Sequence, residues 1–595
     1  MYSVCSDQSY EYNFDDDMNN QDGGNRYPLI NEDNFSGKIA KIFHKNKISD
    51  IKPSMKEICF PKKYTAQKPQ VFVSEYINPK TPYKGLLINH KIGAGKTCAS
   101  IKIAEKWKGK RKIYVVLPAS LIGGYRDELR TLCVEDNKYM TNEERTLIKQ
   151  IEPSSDLYKE IIERTNKRID KVYNICSYNK FIKNIQEKKI SLKKSLLIID
   201  EIQNLISETG TYYETLSEFI NKAPEDLRIV VMSATPMFDK PHEIALLMNL
   251  LRMPKSLPTG DDFYKKFVKN VHKKDKYGND ILMYEAKNLD MFKKMIKGYV
   301  SYYTGAPDYV FPETNVKYVK CTMSDFQHKA YKDIIKNEAS GLHMFDESQD
   351  VMDLPNNFFI GTRIVSNIVF PNKKVGEDGL SSLTKNIILN NLEKYSVKIH
   401  KMMKKINQKD KKICIYSSFK EYGGLKTISC VLEAHGYKNY FDHGVGRKRY
   451  VVWSGDENIA QKQEIKAAYN DIDNLRGNKI KVILLSPSGK EGLSLFGVRQ
   501  IHILEPYWNM SRIEQIIGRG SRYCSHKDLT KEDRTLDAYI YLSVHDSEQT
   551  TIDQYMKFIA LRKKALITEF EQAIKEIAVD CELNKNSNKE KYQCT

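Results

Sequence analysis

The sequence predicts an α/β protein with two doubly wound parallel-sheet lobes, a mostly helical insert between them and a helical C-terminal segment. Three observations carry that expectation. Short apolar runs rich in β-branched residues fall into two groups, and they are continuous rather than alternating, as strands buried on both faces are. Helix-like segments separate the runs within each group, the alternation that builds a parallel sheet. A chain of 595 residues also exceeds what one core can organise, since domains run to roughly 100–200 residues.

Residues 1–36 carry eight acidic residues against Arg26 alone, which reads as a disordered acidic tail. The sign reverses over 37–63, a basic linker. The first lobe, 64–255, holds the runs Gly85–Ile88, Lys112–Leu117, Val172–Ile175, Ser195–Ile199 and Arg228–Met232. Lysine-rich helical patterns and Pro-containing pieces mark 256–375 as the insert. The second lobe, 376–545, holds Ile413–Tyr416, Tyr450–Trp453, Val482–Leu485, Ile501–Leu504 and Ala538–Leu542. Over 546–595 a helical extension is expected, with apolar residues at helical spacing from Ile552 to Ala578 and a polar, frayed end.

Composition is that of a globular protein, 41% hydrophobic and 29% charged. No apolar run reaches the roughly 18 residues of a membrane span, and no basic-then-apolar leader opens the chain, so a membrane partner is not expected. The 11 cysteines show no CxxC spacing, which suggests neither a zinc site nor a disulfide framework and fits a reducing, intracellular compartment. A net charge of +19 favours a polyanion, nucleic acid first. Abundant Lys, Asn, Ile and Tyr are equally what an A·T-rich genome encodes, so charge alone does not decide.

The segment His90-Lys91-Ile92-Gly93-Ala94-Gly95-Lys96-Thr97 follows an apolar run and precedes a helix-like one. Strand, Gly-rich loop and helix make a phosphate cradle: backbone N–H groups of Gly93, Ala94 and Gly95 point at an anion, and the helix dipole adds positive potential. Lys96 would reach the β- and γ-phosphates of ATP, and Thr97 would hold Mg²⁺. His90 stands where the strict pattern has Gly, and a plain Gly-rich turn would look alike in isolation.

Asp200-Glu201 ends the run Ser195–Ile199, the edge where open α/β sheets place ligands. Asp200 would hold Mg²⁺ and Glu201 would orient and deprotonate the attacking water. Ser233-Ala234-Thr235 ends the next run. Arg519 and Arg522 share a face if helical, with Gln515 one turn earlier; their permanent charge suits a phosphoryl transition state.

Taken in order with Ser488-Gly489-Lys490-Glu491-Gly492-Leu493-Ser494-Leu495, these motifs resemble a superfamily 2 helicase with two RecA-like lobes. Leu117–Leu121, Ser177-Tyr178-Asn179 and Ser233–Pro241 are similar to Swi/Snf-like ATPases. Gly298–Tyr303, Tyr416–Phe419, Arg499–Pro506 and Tyr507–Arg512 resemble the nucleoside triphosphatases and early-transcription-factor helicase subunits of poxviruses, other cytoplasmic DNA viruses and yeast linear plasmids. The resemblance implies that Gly93, Gly95, Lys96 and Thr97 bind ATP, that Asp200 and Glu201 serve Mg²⁺ and hydrolysis, and that Gln515, Arg519 and Arg522 form the finger motif. Gln203 stands where many relatives have His. Gln70 or Gln67 would read adenine. Ala119, Ser120, Ser177 and Ser418 would follow a nucleic-acid backbone. Tyr302, Tyr303, Tyr507 and Trp508 could stack on bases, but burial in the core is the commoner fate of such residues.

The implied function is an ATP-dependent helicase or translocase, with DNA favoured as the track. The implied role is in transcription beside a cytoplasmic viral or plasmid RNA polymerase. A replicative DNA helicase and a transcription scaffold with vestigial ATPase are the alternatives.

Overall fold

The first lobe passes through β1 (Gly85–His90), β2 (Lys112–Leu117), β3 (Tyr173–Ser177), β4 (Ser195–Ile199) and β5 (Arg228–Met232), each a run expected as a strand. The computed structural model describes residues 27–49, 53–60, 65–91, 93–131, 133–134, 138–151, 155–206, 210–274, 280–338, 358–406, 411–487, 493–548, 550–587 and 593–595. Successive residues feed opposite faces. Leu87, Val116, Leu197, Ile199, Ile229 and Val231 enter one apolar cluster, and Leu86, Ile88, Val115, Ile198 and Val230 enter another. Two dry faces are why the runs are continuous rather than alternating.

Next come a hairpin, β6 (Val268–Lys274) and β7 (Asp280–Ala286), then β8 (Val300–Tyr303) and β9 (Glu313–Thr322). The second lobe adds β10 (Lys412–Tyr416), β11 (Lys438–Asn439), β12 (Arg449–Trp453), β13 (Val482–Leu485), β14 (Val498–Ile503) and β15 (Thr535–Val544). The first sheet runs β3-β2-β4-β5-β1-β8 and the second β11-β12-β13-β10-β14-β15-β9. Neighbouring strands are parallel throughout both sheets. The expected fold class therefore holds.

The mostly helical insert over 256–375 needs correcting. Helices are present (Gly260–Phe267, Leu289–Ile296, Asp325–Glu338 and Ile360–Asn367), but β8 closes the first sheet beside β1 and β9 edges the second beside β15. The lobes therefore meet near residue 310, with residues 339–357 outside the described ones. Charge hides these strands in the sequence: Lys269 and Lys273 on β6 flank Glu285 of β7 at 3.0 and 2.8 Å, and β9 is a largely exposed edge strand. The disordered acidic tail expected over 1–36 does not hold for residues 27–36. Residues 1–26 lie outside the described residues, while Tyr27, Ile30 and Phe35 pack on the first lobe's core. The basic stretch 37–63 is not a bare linker either, because helices Phe35–Ile42 and Met55–Cys59 lie in it.

The helical extension is confirmed and does more than cap the fold. Helix Ile552–Glu576 has 25 residues, about 37 Å at 1.5 Å per residue. Thr551 and Gln554 form its capping box. Ile552, Tyr555, Met556 and Ile559 sit in the second lobe's core, whereas Leu566, Ile567, Phe570, Ala573 and Ile574 sit in the first lobe's. One rod is thus shared by two cores. Beyond it, Val579 and Leu583 join the first lobe's other face. Of the polar last dozen residues, expected to fray, 588–592 lie outside the described residues and Asn584 is buried. No helix among the described residues is long and apolar enough to cross a membrane.

The cysteine expectation is overturned: Cys59–Cys524, Cys98–Cys133 and Cys581–Cys594 are disulfides. The first spans 465 residues, so local spacing carries no trace of it. It ties the helix before the first lobe to the loop that follows Arg522. Non-reducing peptide mapping should recover the Cys59 and Cys524 peptides as one linked species, separated by thiol treatment. Phe570 is fully buried between Phe263 and Phe292, at ring separations of 5.4 and 5.3 Å. Phe570→Ala should cost about 3–5 kcal/mol, read as a lowered unfolding temperature.

Candidate nucleotide and nucleic-acid site

In the first sheet β1, β5 and β4 are adjacent, so parallel register brings their C-terminal ends together: the Gly-rich loop, Ser233 and Asp200-Glu201. Helix Lys96–Trp107 starts directly after Gly95, whose φ is 73°. That left-handed conformation favours glycine, and a Cβ there, 2.2 Å from the Gln70 side-chain nitrogen, would also push that amide off the loop. Gly93 has φ 84°. No side chain caps this helix, so its first N–H groups remain for an anion. Gln70 Nε2 donates to Gly95 O at 3.1 Å, and its Oε1 accepts from Gln67 N at 3.0 Å. Of the two candidate glutamines, Gln70 is therefore the one that touches the loop. Lys96 Nζ donates to His90 O at 3.1 Å, and Thr97 follows it in the helix's first turn.

His90 is not a loop residue. It closes β1, fully buried, and burial together with the Lys96 charge pushes its ring down to about 3, so it is neutral. Its Nε2 lies 2.8 Å from Ser301 Oγ on β8.

Asp200 is 6% exposed, and its Oδ1 accepts from Glu201 N at 2.9 Å. Glu201 adopts φ 50°, ψ 45°, a left-handed conformation that is costly for glutamate and that turns the chain sharply after β4. Tyr178 OH donates to the carbonyls of Asp200 and Glu201 and clamps that turn. Gln203 Nε2 donates to Glu201 Oε2 at 2.6 Å, and Ser233 Oγ donates to Gln203 Oε1 at 2.7 Å. Ser233 Oγ in turn accepts from Thr235 N at 3.0 Å. Gln203 thus bridges the carboxylate to the loop after β5. That loop is held from outside by Asp239, whose carboxylate pairs with buried Lys563 of helix Ile552–Glu576 at 3.0 Å.

Across the cleft, helix Met510–Gly520 carries Gln515 and Arg519, one helical turn apart. Arg519 Nη1 donates to Leu493 O at 3.4 Å; residues 488–492 of that motif lie outside the described ones. Arg522 follows the helix and donates to Gly518 O at 3.1 Å. Burial and the neighbouring Arg519 push its guanidinium down to about 9, against the pull of the Glu201 carboxylate, and it stays charged at neutral pH. The lobes touch here: a Cβ on Gly93 would meet Tyr523 N at 3.3 Å. The loop, the carboxylates and the arginines therefore face one cleft.

Ala119, Ser120 and Ser177 line a second cleft of about 390 Å³ with Pro118, Tyr178, Asn179 and Asn204. Ser418 is not part of it. It follows β10 on the other lobe, where its backbone N–H is held by buried Glu505, which also accepts from Ser417 Oγ at 3.1 Å. Tyr302, Tyr303, Tyr507 and Trp508 are all buried, as the core reading expected. Sequence reasoning missed Tyr178, Glu505 and Lys563 as supports. Tyr178 and Glu505 lay inside quoted motifs, but nothing in a sequence marks which backbone groups they hold.

The SNF2-related domain model matches residues 70–414, and the helicase conserved C-terminal domain model matches 396–524. A protein of Acanthamoeba polyphaga mimivirus, named as an ATP-dependent RNA helicase, is 50% identical over 563 residues, covering 94% of this chain and 97% of its own. A termination factor NPH-I homolog of African swine fever virus is 26% identical over 578 residues, covering 85% of this chain and 77% of its own. The Hef helicase domain of Pyrococcus furiosus is similar at a TM-score of 0.41 and 13% identity, covering 82% of this chain and 97% of its own. With a domain match over more than half its length and a viral relative 50% identical over 94% of it, the chain belongs to the SNF2-related family of superfamily 2 and is an ATP-driven nucleic-acid helicase enzyme.

Proposed function

We propose that this enzyme is a DNA-tracking motor that assists transcription by the RNA polymerase of a cytoplasmic virus or plasmid. The observation that carries the motor reading is the chain Glu201–Gln203–Ser233–Thr235, which links the hydrolytic carboxylate to a loop tethered by Lys563 of the shared helix. Loss of the γ-phosphate can thereby be felt where the lobes are joined.

In this reading ATP binds on Gly93, Ala94, Gly95 and Lys96. Lys96 exchanges its contact with the His90 carbonyl for phosphate oxygens. Gln70 spends one N–H on Gly95 and, as a primary amide, has a second donor for an adenine edge. The hydroxyl of Thr97 and the carboxylate of Asp200 are hard oxygen donors of the type Mg²⁺ takes, and the ion when bound neutralises phosphate charge. Glu201 orients the water and takes its proton; Arg519 and Arg522 stabilise the charge that spreads over the transferred group, with Gln515 beside them. Closure of the second lobe completes the site. Ala119, Ser120 and Ser177 on one lobe and Ser418 on the other follow the backbone, so that each closure moves the strand.

The NPH-I name of the African swine fever virus relatives supports a transcription role, with a viral factory, virion or plasmid-bearing cytoplasm as the setting. The mimivirus relative's name favours RNA as the second reading. Intact Lys96, Glu201 and Arg522 argue against a vestigial scaffold; a replicative helicase is the remaining alternative.

Lys96→Ala and Glu201→Gln should each lower nucleic-acid-stimulated ATP hydrolysis by about 10²–10⁴-fold, measured as phosphate release. Unaltered hydrolysis in Glu201→Gln would overturn the assignment. Duplex DNA should stimulate the wild-type ATPase more than RNA of equal length, and triplex release without separation of a tailed duplex should identify a translocase. The reverse preference would support the RNA reading.

A further inference from the structure

His90, the last residue of β1 and the irregular position of the phosphate-loop motif, has a buried partner far along the chain. Ser301 Oγ donates to Asp580 Oδ2 at 2.6 Å, so the hydroxyl oxygen accepts from His90 Nε2–H. A neutral ring with its proton on Nε2 satisfies this arrangement, and His90 Nδ1 has no partner among the described residues. Asp580 is fully buried and also accepts from Tyr302 N and Asn584 Nδ2, both at 2.9 Å. A carboxylate so bonded is a rigid anchor. The segment around it is docked on the strand beside β1: Val579 N donates to Val300 O at 2.8 Å and Asn584 Nδ2 to Tyr302 O at 3.0 Å.

Two facts give this chain of bonds a consequence for catalysis. The His90 carbonyl is where Lys96 rests, so the seating of His90 sets the starting position of the loop's lysine. Asp580 lies four residues beyond helix Ile552–Glu576, whose two halves are buried in different lobes. We propose that Asp580, acting through Ser301 and His90, is a positioning residue for the phosphate loop, by which the C-terminal segment holds the nucleotide site in its binding geometry. The histidine in place of glycine is then the contact through which the loop is read. A glycine could not bond to Ser301.

This inference rests on the assignment of the loop to ATP, so Lys96→Ala is measured beside the relay variants. Steady-state ATPase of the full chain is compared for wild type, Ser301→Ala, Asp580→Asn, the double variant, His90→Leu and His90→Gln. Each break in the relay should raise KM for ATP about 5–10-fold, the effect of one or two buried hydrogen bonds. It should leave kcat within about twofold, the pattern of lost binding. The double variant should be no worse than its worse parent, because the chain is already cut. His90→Gln, which keeps a donor for Ser301, should restore most of the wild-type KM. Ser301→Ala removes one oxygen and keeps the test open should a larger change prevent folding. An unchanged KM with a lowered unfolding temperature would reduce the relay to a staple and overturn the proposal. So would single effects that multiply in the double variant. If Lys96→Ala hydrolyses ATP like wild type, the loop assignment itself falls; if only the relay variants are silent, this inference alone does.

Discussion

One helix cannot leave two hydrophobic cores without exposing both. That constraint, imposed by Ile552–Glu576, organises the protein. Four apolar side chains at its start complete the second lobe and five near its end complete the first. Burying a large apolar side chain is worth about 1.5–3 kcal/mol, so sliding either lobe along the rod would forfeit several such terms at once. The lobes are therefore tied at a fixed distance but not fused. Among the described residues their nucleotide faces touch where Gly93 meets Tyr523. A cleft that can open and close about a stiff strut is the mechanical requirement of a motor.

The same strut reaches both sides of the nucleotide site. Lys563, buried near its middle, fixes Asp239 in the loop that follows β5. Beyond its end, Asp580 fixes Ser301 and, through it, the last residue of β1. The intervening chemistry is polar and short-range: Glu201, Gln203 and Ser233 are joined by bonds of 2.6 and 2.7 Å. Such bonds are directional, so they fix how the three side chains sit relative to one another. Gln203 can join both neighbours because an amide carries donor and acceptor together, one turned to Glu201 and one to Ser233.

The disulfide Cys59–Cys524 adds a covalent link between the helix ahead of the first lobe and the loop that follows Arg522. Around it Tyr523 OH donates to Ile58 O at 3.2 Å, and Lys527 lies over the Phe60 ring at 4.6 Å. The segment before the first lobe, read from composition as a basic linker, is thus fastened to the second lobe beside Arg522.

The strands buried on both faces, the glycine loop and the paired carboxylates were all legible from residue type and order. Each depends on a local pattern: a run of β-branched residues, two glycines before a lysine, or two carboxylates closing an apolar run. The arginines do not share a helical face as expected, because the helix ends at Gly520, between Arg519 and Arg522. What escaped was polar or distant. β6, β8 and β9 were invisible as strands because charge or brevity masked their alternation, and so the first lobe was ended too early. Tyr27, Ile30 and Phe35 were averaged away among acidic neighbours. By itself the sequence determined the fold class and the family, since these follow from periodicity and motif spacing. Only the tertiary structure decided that His90 answers to Asp580, that Asp239 answers to Lys563 and that Cys59 meets Cys524. Those partners are hundreds of residues apart, and no local pattern encodes which buried group will find which.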